Sequence, residues 1–169
     1  MRTYYSPAHL DHAPEQEFEG GRLTPAVEIP ERAERVRARI EDRKLGPILP
    51  PAEFGNAPLV RIHDADFIAF LTQAHDEWIK RYGARAGAAI PSTWPARGLR
   101  TQLHGHIEAR LGSYTFDTAT PILKGTWEAS RSAANVALSA ARAIHQGEQA
   151  AFALTRPPGH HASTDLYGG

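Results

Sequence analysis

Two histidines stand side by side, His160 and His161, directly after Arg156, Pro157, Pro158 and Gly159. The prolines stiffen this stretch and the glycine thins it, so the two imidazoles sit on a constrained loop. Neighbouring imidazolium charges repel, which favours separate duties for the two rings. A neutral ring takes a proton from water while the other keeps its proton or donates a hydrogen bond. One positioned general base contributes about 10²- to 10⁴-fold in rate. Hydrolysis of a stable amide asks for more, and a metal that acidifies water and polarises the carbonyl is the expected companion. On residue types alone, the pair also fits a solvated or hydrogen-bonding loop.

The elements that must position this pair read as those of an α/β protein. Arg2 to Tyr5 predicts a short strand, and the polar stretch to Gly20-Gly21, with His9 and His12, reads as loop. Pro30 opens a helix in which Ala33, Val36 and Ile40 share a face, and Leu45-Gly46-Pro47 stops it. Ile48-Leu49 is a second candidate strand. Asp64 is the expected N-cap of a helix with Phe67, Phe70, Leu71, Ala74 and Trp78 along one side. Thr126 is the expected N-cap of another, running to about Gln146, with Ala133, Ala134, Ala137, Ala140, Ala141 and Ile144 as its buried stripe. Ala150 to Leu154 is a continuous apolar run, the pattern of a strand covered on both faces. Helix, buried strand, then polar loop predicts a parallel sheet, and sites in such sheets collect beyond the carboxyl ends of strands. The tandem histidines follow such an end. Between Arg81 and Lys124 periodicity weakens, apart from a short helix carrying Leu103, Ile107 and Leu111. That irregular connection is a candidate contact surface.

Composition narrows the function classes. The 169 residues hold 19 Lys+Arg against 19 Asp+Glu, so one domain is the default and no global basic field favours nucleic acid. No cysteine is present, which excludes thiol catalysis and thiolate metal sites. Met1 to Pro7 runs into charged sequence without an apolar stretch of signal or membrane-spanning length. A cytoplasmic protein without a membrane partner is the expectation.

The string from Arg156 to Ala162 resembles the tandem-histidine motif of the zinc-dependent histone deacetylase superfamily. Gly125-Thr126-Trp127-Glu128-Ala129, the alanine-rich helix and the Ala150–Leu154 run continue the likeness. So do Tyr5-Ser6-Pro7, Gly20-Gly21, Pro30-Glu31-Arg32, and Val60 to Ile68 with Phe70-Leu71. Within that superfamily the chain is most similar to the bacterial acetylpolyamine amidohydrolases. The resemblance implies an arginase-like α/β fold, a parallel sheet flanked by helices, and hydrolysis of small acetylated amines such as acetylpolyamines by a zinc-bound water. It implies that His160 is the general base and acid, that His161 assists electrostatically, and that Gly159 lets the backbone approach the substrate tunnel. Glu108 matches an acidic position that attracts the substrate's ammonium groups, whereas a second such position falls on Ala119, with Asp117 nearby. The region 81–124 matches an insertion that builds a homodimer interface and narrows the active-site mouth.

The family's zinc ligands include an Asp-x-His pair and a further Asp, followed by a transition-state tyrosine, all downstream of the matched segment. No Asp-x-His occurs in this chain. The sequence therefore looks like the N-terminal half of a deacetylase domain, truncated, with zinc ligands expected beyond residue 169 and strand edges left open. Two rival readings stay open: a non-catalytic binding or assembly module, and a deacetylase of protein acetyl-lysine. His104 and His106 form a weak surface metal pair, and His63-Asp64 reads as a capping or supporting element. Trp78, Trp94 and Trp127 read as packing residues, with Trp94 also placed for a dimer contact or the substrate mouth. His75 and His145 give no functional signal.

Overall fold

The short segment Arg2-Thr3-Tyr4-Tyr5 that opens the chain pairs with the apolar run after the alanine-rich helix. In the computed structural model, which describes residues 1–98 and 105–169, β1 (Arg2–Tyr5) lies parallel to β5 (Ala151–Leu154), from Arg2 opposite Ala151 to Tyr5 opposite Leu154. The hairpin β2 (Gln16–Glu19) and β3 (Arg22–Pro25) forms a separate antiparallel pair. After α1 (Glu31–Asp42), β4 (Ile48–Leu49) joins the other edge of β1, also parallel, giving the order β4-β1-β5. Then follow α2 (Ala65–Tyr82), α3 (Ile107–Tyr114) and α4 (Thr126–His145). This is the expected parallel sheet with flanking helices: α1 and α4 both pack on β5.

The described residues divide into two compact units. One comprises Met1–Ala13, Val27–Gly55 and Gly125–Pro158; the other Pro14–Ala26, Asn56–Lys124 and Gly159–Gly169. No described helix is long and apolar enough to cross a membrane.

In the first unit, Ala33, Ile40 and Leu154 pack with Tyr5, Ile48 and Phe152, while Val36 of the predicted α1 face is exposed. β5 departs from its expected double cover. Only Leu154 is buried and Ala151 to Ala153 are half-buried, because among the described strands β5 is paired along one edge only. The buried face of α4 is also rotated from the predicted stripe. Ala140 is buried as expected, Ala133 and Ala134 are half-buried, and Ala137, Ala141 and Ile144 face solvent. Asn135 and Ser139 take the buried face instead, because two backbone donors need partners there. The Ala52 N–H donates to Ser139 Oγ at 2.9 Å and the Phe54 N–H to Asn135 Oδ1 at 3.3 Å. Gly125, not Thr126, occupies the N-cap position of α4. A Cβ at Gly125 would run into the backbone of Asp11, and Thr126 Oγ1 lies 2.8 Å from His12 Nδ1.

The polar stretch read as loop is structured. Pro7–Asp11 forms a 3₁₀ turn, and the hairpin follows. Gly20 and Gly21, with φ of 58° and 81°, supply the left-handed pair that a two-residue hairpin turn requires. His9 and His12 are both buried. The buried Arg156 guanidinium donates to Glu28 Oε1 at 3.0 Å, the His9 carbonyl at 2.7 Å and the Glu28 carbonyl at 3.0 Å.

The core of the second unit is aromatic. Phe67, Phe70 and Ala74 of α2 pack against Leu111 and Tyr114 of α3, with Phe70 and Tyr114 stacked at 4.5 Å. Leu71 and Trp78 pack at its margin, as their spacing predicts. Asp64 holds the N-cap position of α2 without a side-chain capping bond. Leu103 and His104 lie outside the described residues; His106 is exposed at the N-cap of α3.

Candidate active site

The second unit contains the tandem histidines. Gly159 O accepts a hydrogen bond from the Ala162 N–H at 3.0 Å, which closes a turn with His160 and His161 at its two central positions. Both side chains are exposed, and their ring centroids lie 4.1 Å apart at 66°. The space beside Gly159 is open: a Cβ there would meet no heavy atom within 4 Å.

The segment after the turn is fastened at four points. His63 Nδ1–H donates to Ser163 O at 2.8 Å, and the Asp64 N–H donates to Thr164 O at 2.9 Å. The Tyr167 N–H donates to Tyr114 O at 2.8 Å, and Thr115 Oγ1–H to Tyr167 O at 2.9 Å. His63-Asp64 is thus a supporting element, acting through a ring nitrogen and a backbone donor. Tyr167 is buried with its hydroxyl unpartnered among the described residues. Burial, with the nearby Asp117 charge, pushes that phenol far above its ordinary range, so it stays neutral.

Gly168 and Gly169 pass under this turn. A Cβ on Gly169 would sit 3.1 Å from His160 Nδ1, and one on Gly168 would sit 3.1 Å from the Phe116 ring. Phe116 lies with its ring centroid 6.2 Å from that of His161 and is 54% exposed. The loop carrying it is shaped by Asp117, whose Oδ1 accepts from the Ala119 N–H and Oδ2 from Thr120 Oγ1, both at 3.1 Å. Sequence reasoning named the histidines and Gly159 but missed Phe116 and Thr115. The available signal was the Asp117-x-x-Thr120 spacing, which marks a side-chain-stabilised turn. Glu108 stands half-buried in the first turn of α3 and makes none of the bonds that fasten the histidine turn.

Two adjacent imidazoles do not by themselves make a metal site. Among the described residues, no group of three or more His, Cys, Asp or Glu could hold a metal ion. The residues present therefore do not fit a zinc centre, and what they offer is proton transfer and hydrogen bonding.

A family model described as histone deacetylase domain matches residues 26–169. The chain belongs to the histone deacetylase family. Acetylpolyamine amidohydrolase 1 and 2 of Pseudomonas aeruginosa are 42% and 41% identical to it, each aligned over all of this chain and over 49% and 48% of their own lengths. The histone deacetylase fold is reproduced in the crystal structure of acetylpolyamine aminohydrolase from Burkholderia pseudomallei, with a TM-score of 0.89 at 33% identity. That match covers 100% of this chain and 48% of the other. The chain spans about half the length of the curated relatives it matches.

Proposed function

We propose that the protein hydrolyses the acetamide of small acetylated amines, acetylpolyamines foremost, to acetate and free amine. The observation that carries this reading is the exposed His160–His161 turn, held by a fastened loop in a chain of the histone deacetylase family. The names of its relatives support the substrate class.

In this reading the His160 imidazole accepts a proton from the water that attacks the acetyl carbonyl, then delivers a proton to the departing nitrogen. The adjacent His161 ring stabilises the charge that develops. Open space beside Gly159 leaves room for substrate, and the Glu108 carboxylate attracts its ammonium groups. The family likeness implies zinc, with ligands supplied from outside the described residues; the share of this chain is the proton transfers and the shape of the site. We further infer a cytoplasmic homodimer formed through 81–124, a reading supported by Trp94, which is 42% exposed in that region.

The test is acetate release by the full-length protein from acetylated diamines, compared with an acetyl-lysine peptide. Faster release from the diamines is expected. Release from the peptide alone would reassign the substrate, and no release from either would remove the enzymatic reading.

A further inference from the structure

Among the described residues, neither the His160 ring nor the His161 ring is held by a hydrogen bond; the two touch each other, and His161 faces Phe116. Their direction is then inherited from the backbone of the turn, and the turn from whatever holds its ends. The Ala162 N–H closes the turn on Gly159 O. The first carbonyl beyond Ala162 is Ser163 O, and its donor is a side chain, the His63 imidazole at 2.8 Å. One residue further along both segments, the Asp64 N–H donates to Thr164 O at 2.9 Å. The Ser163 N–H donates to Leu166 O, also at 2.9 Å, so both polar groups of the Ser163 backbone are committed.

The donor is itself aimed from the core. The half-buried His63 ring meets the buried Phe67 ring edge-on, with centroids 5.6 Å apart at 61°, and Asp64 stands at the N-cap of α2. A carbonyl oxygen only accepts, so His63 Nδ1 carries hydrogen whether the ring is neutral or charged. The contact needs a donor at one place, not a charge. We propose that His63 is a positioning residue for the proton transfers: by holding Ser163 O it fixes the backbone from which His160 and His161 project, without touching substrate. This rests on the amide-hydrolysis reading of the turn and adds the device that aims it.

The experiment compares His63→Asn, His63→Gln and His63→Ala in the full-length protein. Asparagine carries its amide N–H as far from Cβ as Nδ1–H, whereas glutamine carries it one bond further out, where Nε2 lies. Two quantities are read on the same samples: exchange of the Ala162 amide hydrogen by NMR, and kcat and KM on an acetylated diamine, counted per folded molecule. In His63→Gln and His63→Ala, exchange at Ala162 is expected to quicken by about two- to tenfold. Their kcat should fall about tenfold with KM nearly constant, while His63→Asn stays within about twofold of the parent in both readings. His63→Asn falling as far as His63→Ala would overturn the assignment. So would parent-like kcat in His63→Gln and His63→Ala, or a change confined to KM. Absence of turnover in the parent, with the exchange pattern as expected, would instead overturn the hydrolase reading and the catalytic role with it.

Discussion

His9 and His12 near the start of the chain, and His160 and His161 near its end, place the same side chain in opposite settings. The first pair is buried and committed to partners. His9 Nε2 lies 3.1 Å from the Tyr5 hydroxyl and 3.0 Å from Glu34 Oε1, and His12 Nδ1 lies 2.8 Å from Thr126 Oγ1. Burial opposes charge on Glu34, yet hydrogen bonds from Tyr5, Arg37 and His9 outweigh it and bring that carboxyl down to about 2. The same burial and the Glu34 bond push the Tyr5 hydroxyl up to about 12. The second pair is exposed, on a turn whose neighbours are fastened while its own rings are left accessible. Burial with one ring nitrogen held by a side-chain partner makes a histidine part of the scaffold; exposure on a fixed backbone leaves it available for chemistry.

The largest effect expected from breaking the scaffold side is at Arg156. Its guanidinium is buried and holds Glu28 and the His9 carbonyl together. Arg156→Ala should cost about 3 kcal/mol in denaturant unfolding, because the His9 and Glu28 carbonyls lose a charged donor and the half-buried Glu28 carboxylate keeps only Arg32 at 3.7 Å. A loss below about 1 kcal/mol would show that this region does not depend on the buried ion pair.

A second test uses pH. Burial, aided by the Arg156 charge, lowers His12 from its ordinary value to about 4. The unfolded chain therefore binds this proton first as pH falls, so stability is full above about pH 6.5 and declines toward pH 4, where the folded state also binds it. The decline attributable to His12 amounts to about 3 kcal/mol at most. His12→Asn should flatten stability across that window, and an unchanged slope would remove His12 from the scaffold side of the comparison.

The smallest effect is expected at His63, which touches the accessible pair only through Ser163 O. His63→Ala should cost about 0.5–1.5 kcal/mol. It should also shift the NMR resonances of His160 and His161 while leaving those of His9 unmoved.

Much of the scaffold was legible in the sequence. Arg2–Tyr5 was bounded as found, because Thr3, Tyr4 and Tyr5 are β-branched and aromatic residues that favour strands and Ser6-Pro7 ends the run. α2 followed its apolar period closely, since Phe67, Phe70 and Ala74 supply the core against α3. α4 was read in its extent but not in its face. The polar residues Asn135 and Ser139 are buried to satisfy backbone donors far away in sequence, and no local period reports that. The hairpin escaped because its strands are polar and largely exposed, although Gly20-Gly21 was the turn signal. At the site, the tandem histidines were evident from residue type and spacing. Phe116 was not, because its place beside His161 depends on pairing between segments about fifty residues apart, Thr115 with Tyr167.

The most direct measurement sets the two histidine pairs against each other in the full-length protein, reading acetate release and thermal midpoint on the same samples. His160→Ala is expected to lose about 10²- to 10⁴-fold in turnover with the midpoint unchanged. His12→Asn is expected to lower the midpoint while keeping turnover per folded molecule. Turnover within twofold of the parent in His160→Ala, or its abolition in His12→Asn at an unchanged midpoint, would contradict the division between scaffold and chemistry.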